Sequence, residues 1–565
     1  MNLTVAEAAV APLLACDEQV ICQSKRVTFV PARINMAIFM KEAIMSRLAQ
    51  ENLYIPIKEL IVSFFVIALF FIWQGNKGFN LWDEGFLWYG VQRVMLGEVP
   101  ILDFMAYDPG RYYWSAAIMS VVGDNDILSL RASVAVFQVL GLFVGLWLIS
   151  RSRKEAGKAG IVFWLISALT LMLWMFPRHK IFDISLSILL VGVLTFLISR
   201  PAPKRYFIAG ILVGLVAVFG RNHGVYGVAG SVGVIAWLSI RNHSGPGFFK
   251  GGFLWAAGVV VGFLPVIFMA LLIPGFATAF WESIRFLFEQ QATNLPLPVP
   301  WPWTVEFATA TVGEAVRGVL VGLFFVATLV FGGISVVWVI HCKLKEKPVP
   351  PALVASAFLS LPYAHYAFSR ADLGHLAQGV FPMLVGCLVV LSSAQSKARW
   401  PLAVALCAAS FWVMYLFQPG WQSLANKNWV SVEVSGRNLQ VDPDTASDIA
   451  MLRQLDNQYS SDAKPFVVVP FWPGAYALLE RKSPMWEIYP LFSRSAGFEE
   501  KEIKRIEESR PGFALVFDMA LDGRDELRFR KTHPLTYQYI VDKFERVPDS
   551  SNPAYEIYKP KVAGQ

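Results

Sequence analysis

Apolar runs at 60–73, 134–149 and 318–340 set the first limit on what this chain can fold into. They approach the roughly 20 residues needed to cross about 30 Å of hydrocarbon, and the shorter ones require tilt or local thinning of the bilayer. Inside that layer every backbone N–H and C=O must find its partner within its own segment, so the runs are read as helices. Hydrophobic residues form 55% of the 565-residue chain and charged residues 16%, a balance that sets it apart from soluble globular proteins.

About eleven spans are expected, at 59–74, 131–150, 159–177, 181–199, 206–220, 225–240, 253–274, 318–340, 352–369, 376–394 and 400–417. The short connections alternate in basic content. Arg151, Arg153, Lys154 and Lys158 form one group, Arg200, Lys204 and Arg205 a second, Lys343, Lys345 and Lys347 a third, and Lys397 with Arg399 a fourth. By the positive-inside rule these face the cytoplasm, which places 75–130, 275–317 and 418–565 on the outer side. An odd number of spans, with the N-terminal segment 1–58 inside, gives the same answer. The expected setting is a multi-pass plasma membrane protein of the bacterial inner-membrane kind. Residues 1–30 lack a basic stretch followed by a clean apolar core, so no cleavable signal is expected, and Met36, Met40 and Met45 are alternative starts. The five cysteines, Cys16, Cys22, Cys342, Cys387 and Cys407, have no zinc-type spacing and are read as packing residues.

Two outer segments carry amphipathic patterns expected to lie along the membrane surface: Leu87, Val91, Val94 and Met95 share one helical face, and Phe276, Phe280, Ile284, Leu287 and Phe288 another. Trp82, Trp88, Tyr112, Tyr113 and Trp114 read as an aromatic belt at that interface. Prolines 296, 298, 300 and 302 require an extended loop over 295–303. Beyond residue 418 the composition becomes that of a soluble domain. Helical patterns at 445–459 and 499–509 alternate with strand patterns at 465–470, 513–517 and 537–544, which predicts a small α/β domain. There is no GxGxxG fingerprint, no P-loop and no internal repeat, so nothing points to a nucleotide or a nucleic acid.

The adjacent carboxylates Asp83 and Glu84 follow the first span by about ten residues. An aspartate there can simply cap the next helix. The alternative is a carboxylate base held where a lipid-borne substrate meets a water-borne one. Three outer connections carry cations: Arg178, His179 and Lys180; Arg221, Asn222 and His223; Arg370, Ala371, Asp372 and His375. Arg178 and Lys180 read most simply as side chains snorkelling to headgroups. Arg221 and His223 lie between Gly220 and Gly224, where a backbone can approach a ligand closely.

A carboxylate pair just outside the first span is followed by a helix ending in Gly97, Glu98, Val99 and Pro100, then by Asp103 and by Tyr107, Asp108, Pro109, Gly110, Arg111, Tyr112 and Tyr113 before the second span. This arrangement resembles the GT-C-type glycosyltransferases, above all the protein O-mannosyltransferases and lipid A aminoarabinose transferases. The resemblance is carried by residues 59–150 and is architectural beyond them. Where relatives often have Pro-Pro, this chain has Asp108, Pro109, Gly110 and Arg111, which leaves the roles of Asp108 and Arg111 open.

The resemblance implies transfer of a sugar from a polyprenyl-phosphate donor to an acceptor hydroxyl of a glycan, lipid or protein. Expulsion of a phosphate needs a base for the acceptor and positive charge for the leaving group, not the paired acid and base of a glycosidase. Asp83 is then the candidate base and Glu84 its catalytic or acceptor-binding companion. Arg221, His223, Arg370 and His375 are candidates for the donor phosphate, and Asp103, Asp108, Arg111 and Asp372 are weaker substrate-binding candidates. No metal site is assigned; the spacing of the carboxylates leaves a divalent cation open without demanding one.

A polysaccharide polymerase or ligase using the same kind of donor is the nearest alternative, but it would usually carry an arginine-rich later loop, and 275–317 has only Arg285 and Arg317. A secondary transporter would place its charges near the bilayer midplane on broken helices, in repeated halves. With the proposed orientation, alkaline phosphatase fused after Gln565 is expected to be active in a bacterial host and the same enzyme fused after Lys345 inactive.

Overall fold

The computed structural model describes residues 56–152, 158–241, 245–290, 294–460, 463–548 and 554–561. The N-terminal segment with Cys16, Cys22, Met36, Met40 and Met45 lies outside the described residues, as do Arg153 and Lys154.

The first part is helical: α1 (Ile57–Gln74), α2 (Asp83–Met95), α3 (Pro109–Val122), α4 (Ile127–Ser152), α5 (Lys158–Trp174), α6 (Ile181–Ser199), α7 (Pro203–Phe219) and α8 (Arg221–Ser239). It continues with α9 (Phe248–Gly262), α10 (Leu264–Leu272), α11 (Phe276–Gln290), α12 (Val312–Leu344), α13 (Pro351–Ser369), α14 (Leu373–Gly379), α15 (Phe381–Ser393) and α16 (Arg399–Met414). Each expected span coincides with a helix or a bent pair of helices. Taken singly, α1, α4, α6 with the turn before it, α12, and α16 with the turn after it are long and apolar enough to cross a bilayer. The pairs α9–α10, bent by 50°, and α14–α15, bent by 52°, bring the number to 7. The others are short or diluted by glycine and polar residues, and depend on their neighbours. This is a multi-pass membrane protein. Lipid-facing apolar side chains stay exposed, among them Phe64, Phe65 and Ile72 on α1 and Val337 on α12. At the other extreme is α6, whose side chains are almost all buried, as befits the centre of the bundle.

Glycines let α7 and α9 cross at backbone contact. A Cβ on Gly210 would meet the Trp255 carbonyl oxygen at 2.0 Å, and one on Gly258 the Phe207 oxygen at 2.1 Å, with Gly214 and Gly262 repeating the motif one turn on. Between helices in lipid, small residues four apart give the close approach that dispersion requires. The proline-rich 295–303 segment is extended up to the single turn Pro302–Thr304.

The C-terminal domain comprises α17 (Pro419–Ala425), the hairpin β1 (Val430–Val434) and β2 (Arg437–Val441), α18 (Pro443–Tyr459), β3 (Val467–Val469), α19 (Gly474–Leu478) and α20 (Ala496–Ser509). Then come β4 (Ala514–Val516), α21 (Phe529–Thr532), α22 (Pro534–Lys543), β5 (Phe544–Arg546) and β6 (Glu556–Pro560). Strands β3 and β4 are parallel, and β6 and β5 add to them antiparallel, in the order β3-β4-β6-β5. The α/β reading therefore holds, with one correction at its end. The 537–544 segment expected as a strand is mostly α22, because Pro534 starts a helix and Thr536 and Ile540 bury themselves four residues apart. The strand is only Phe544–Arg546.

A second correction concerns α2. Its pattern predicted a helix lying on the membrane surface, but residues 84–92 are buried between the bundle and the C-terminal domain. Trp88 and Tyr112 are fully buried and Trp82 stacks on Phe471 at 4.2 Å, so these aromatics are packing residues of the junction and not an interfacial belt. At the junction two glycines face each other: a Cβ on Gly85 would lie 2.4 Å from the Gly474 Cα, and the Gly474 N–H donates to the Leu81 carbonyl at 2.9 Å. Gly85→Val is expected to force the domain off the bundle, seen as faster proteolysis within 418–565 and a lower Tm of the purified protein.

Candidate functional site

Where α2 enters the junction, a cavity of about 1240 Å³ opens between the ends of the membrane helices and the C-terminal domain. That exceeds an ordinary small-molecule pocket and has room for two substrates. Of the ten candidate site residues, Asp83, Glu84, Asp108, Arg111, Arg221, His223, Arg370, Asp372 and His375 line it. Asp103 does not; its carboxylate accepts the Val99 N–H at 2.7 Å and shapes a turn.

The start of α2 separates the two adjacent carboxylates. The Asn80 side-chain oxygen accepts the N–H of Trp82 at 2.9 Å and of Asp83 at 2.8 Å, so Asn80 does the capping. The carboxylate of Asp83 is left free, with 38% of its side chain exposed to the cavity and the His179 Nε2 at 3.6 Å. Glu84, at the same cavity wall, is buried and taken up by the bundle. Arg131 grips it through Nε and Nη2, both at 2.7 Å, and also donates to the carbonyls of Gly75 at 2.6 Å and Gly78 at 2.7 Å. Burial alone would raise the Glu84 carboxyl, but the charge and hydrogen bonds of Arg131 outweigh it and hold the group below its ordinary range. Glu84 therefore ties α2 to α4 and to the end of α1.

Three further polar networks frame the cavity. Arg111 holds Asp183 on α6 at 2.9 and 3.3 Å and donates to the Phe219 carbonyl, while His223 contacts the same Asp183 at 2.9 Å and the Tyr363 hydroxyl at 2.7 Å. Asp108 accepts the Arg221 N–H at 2.7 Å and pairs with its guanidinium at 2.5 Å. Arg370 takes Asp522 of the C-terminal domain in a two-pronged pair at 2.7 and 2.8 Å, and also bonds Asp372 at 2.9 Å and the Leu295 carbonyl at 3.0 Å. Asp372 caps α14 and holds the His375 ring at 2.9 Å. Of the glycines beside Arg221, Gly220 lines the cavity, with its Cβ position against the His223 ring, whereas Gly224 packs on Ala217.

Arg178 and Lys180, expected to snorkel to headgroups, line the cavity. Arg178 donates to the Gln74 carbonyl at 2.5 Å, and Lys180 sits over the Tyr107 ring at 4.8 Å with its hydroxyl at 3.4 Å. Among the described residues neither has a carboxylate within the 4.0 Å of an ion pair, unlike Arg111, Arg221 and Arg370. The sequence signal for them was three consecutive cations at the start of a span that also carries Asp183, itself overlooked inside an apolar run. Among the described residues no three of His, Cys, Asp and Glu are grouped to hold a metal ion.

The fold around this site is similar to that of solved GT-C membrane glycosyltransferases. It is similar to the apo crystal structure of ArnT from Cupriavidus metallidurans, with a TM-score of 0.50 and 12% identity over 88% of this chain and 97% of that one. ArnT from the same organism bound to undecaprenyl phosphate gives 0.47 and 11%, over 90% and 98%. The apo oligosaccharyltransferase of Archaeoglobus fulgidus gives 0.45 and 12%, over 87% and 72%. No family model and no curated protein sequence matches the chain.

Removing one partner of a buried ion pair leaves the other charge uncompensated. Glu84→Gln is expected to destabilise the protein at neutral pH by on the order of 3 kcal/mol. The lowered carboxyl makes this contribution complete above pH 4.5 and lost as the pH falls below it, so Tm curves of the parent and Glu84→Gln should converge in acid.

Proposed function

We propose that this chain is a membrane glycosyltransferase that moves a sugar from a polyprenyl-phosphate donor to an acceptor hydroxyl on the outer face of the membrane. The observation that carries the reading is the uncapped Asp83 carboxylate, facing a two-substrate cavity whose wall also bears two cations without carboxylate partners. Asp83 takes the proton of the acceptor hydroxyl as its oxygen attacks the anomeric carbon. The bond from that carbon to the phosphate oxygen breaks, its electron pair stays on the phosphate, and polyprenyl phosphate leaves.

Lys180 and Arg178 are the first choice for that phosphate, because their charge is not already spent on a carboxylate. Arg221, His223 and Arg370 are held by Asp108, Asp183 and Asp522 and shape the cavity around it, with Arg370 fastening the domain to the bundle. The lipid tail has a route past α11, which lines the cavity with Ala279, Ser283 and Leu287 and exposes Trp281 and Phe288 outward.

Loss of a general base costs about 10²–10⁴ in rate. Asp83→Asn is therefore expected to reduce transfer from an undecaprenyl-phosphate sugar by at least about a hundredfold while undecaprenyl phosphate still binds, and Lys180→Gln to weaken that binding. Full transfer by Asp83→Asn would remove Asp83 as the base.

A further inference from the structure

The cavity wall on the side of the C-terminal domain is built by residues 483–495, which form no regular secondary structure. The segment is nevertheless pinned along its length. The Ser483 N–H donates to the Tyr89 hydroxyl at 3.0 Å, the Trp486 indole to the Ile101 carbonyl at 3.1 Å, and the Met105 N–H to the Trp486 carbonyl at 2.8 Å. From behind, the buried Glu487 carboxylate receives Arg494 at 2.6 Å and meets His533 at 3.0 Å. Ile101, the residue that accepts Trp486, has φ +75°, a conformation costly for a β-branched side chain. Irregular backbone that is firmly held, next to a strained residue lining the same cavity, marks a surface built to meet a ligand.

Phe86 lies one helical turn after Asp83, on the same face of α2. Its ring packs against Tyr107 at 4.7 Å and Tyr489 at 5.9 Å, so the two tyrosines flank the helix turn below the free carboxylate. Their hydroxyls differ. That of Tyr107 is engaged by Lys180, on the side of the unpaired cations. Tyr489 lines the cavity, and its hydroxyl makes no hydrogen bond with any described residue. Burial, reinforced by the negative charge of Asp83, pushes the Tyr489 phenol well above its ordinary value, so it remains a neutral O–H donor.

We propose, resting on the glycosyltransferase reading above, that Tyr489 is the acceptor-contacting residue contributed by the C-terminal domain. Its ring supports the acceptor and its hydroxyl bonds an acceptor oxygen beside the one that Asp83 activates. Tyr107 with Lys180 serves the donor on the membrane side, and Tyr489 serves a hydroxylated acceptor on the domain side. The domain is thus part of the site and not merely its roof.

The test uses the full chain in lipid nanodiscs, undecaprenyl phosphate as the binding probe, and an undecaprenyl-phosphate hexose with isolated envelope membranes as the source of acceptor. Tyr489→Phe keeps the ring on Phe86 and removes only the O–H. It is expected to raise the amount of acceptor membrane needed for half-maximal transfer about tenfold, the loss of one hydrogen bond, with undecaprenyl phosphate affinity changed by less than about twofold. Unchanged acceptor dependence overturns the inference. So does a parallel fall in undecaprenyl phosphate affinity, which would put Tyr489 on the donor side. If the unsubstituted chain neither binds undecaprenyl phosphate nor transfers sugar, it is the glycosyltransferase reading that falls, and the inference with it.

Discussion

The ion pair between Glu84 and Arg131 is the interaction on which the rest of the site depends. Arg131 is a single side chain on α4, yet it closes the carbonyl end of α1, fixes the chain at Gly78 and holds the first turn of α2. Because Glu84 is drawn towards the bundle, Asp83, about 100° round the helix, is turned to the cavity. One residue of an adjacent carboxylate pair is spent on architecture so that the other can be left free. The burial of Glu84 would be costly without the guanidinium, and the guanidinium costly without the carboxylate and the two carbonyls it reaches.

The C-terminal domain is placed by the same helix. Gly85 presses against Gly474 with no room for a side chain, while Trp82 stacks on Phe471 and Gln92 donates to the Ala477 carbonyl at 3.3 Å. A second fastening lies across the cavity, where Arg370 grips Asp522, whose φ of +56° brings its carboxylate round to meet it. Between these two points the domain spans the cavity, and residues 483–495 close it. With that cover over a cavity whose wall carries charged groups, the low-dielectric surroundings strengthen the charge interactions within it.

The distribution of charge within the cavity separates structural from available groups. Arg111, Arg221 and Arg370 each face a carboxylate, and Asp183 is shared by Arg111 and His223. Of the lysine, arginine and carboxylate groups at residues 83–84, 108–111, 178–183, 221 and 370–372, those without an ion partner of fixed opposite charge are Asp83 on one helix and Arg178 with Lys180 at the head of another. That residual pattern, one free carboxylate and two free cations among these groups, is the one on which the proposed transfer rests.

The sequence by itself determined the membrane class, the positions of the helices and the α/β character of the end of the chain, since apolar length and periodicity follow directly from what lipid and a packed core demand. It also placed Asp83, Arg221, Arg370 and most of their companions among the candidates, and these do line one cavity. It set Asp83 ahead of Glu84 only through the resemblance, since the contacts that separate the two are not local: the cap comes from Asn80 and the partner of Glu84 lies 47 residues away. Nor could it tell the compensated Arg370 from the uncompensated Lys180, because Asp522 is 152 residues distant in the chain and meets Arg370 only when the domain folds back. Helix α2 looked like a surface helix for the same reason: its second apolar partner is the C-terminal domain, more than 380 residues away, as the contact of Gln92 with Ala477 shows. Which charges are free is a property of long-range contacts, and only the tertiary structure decided it.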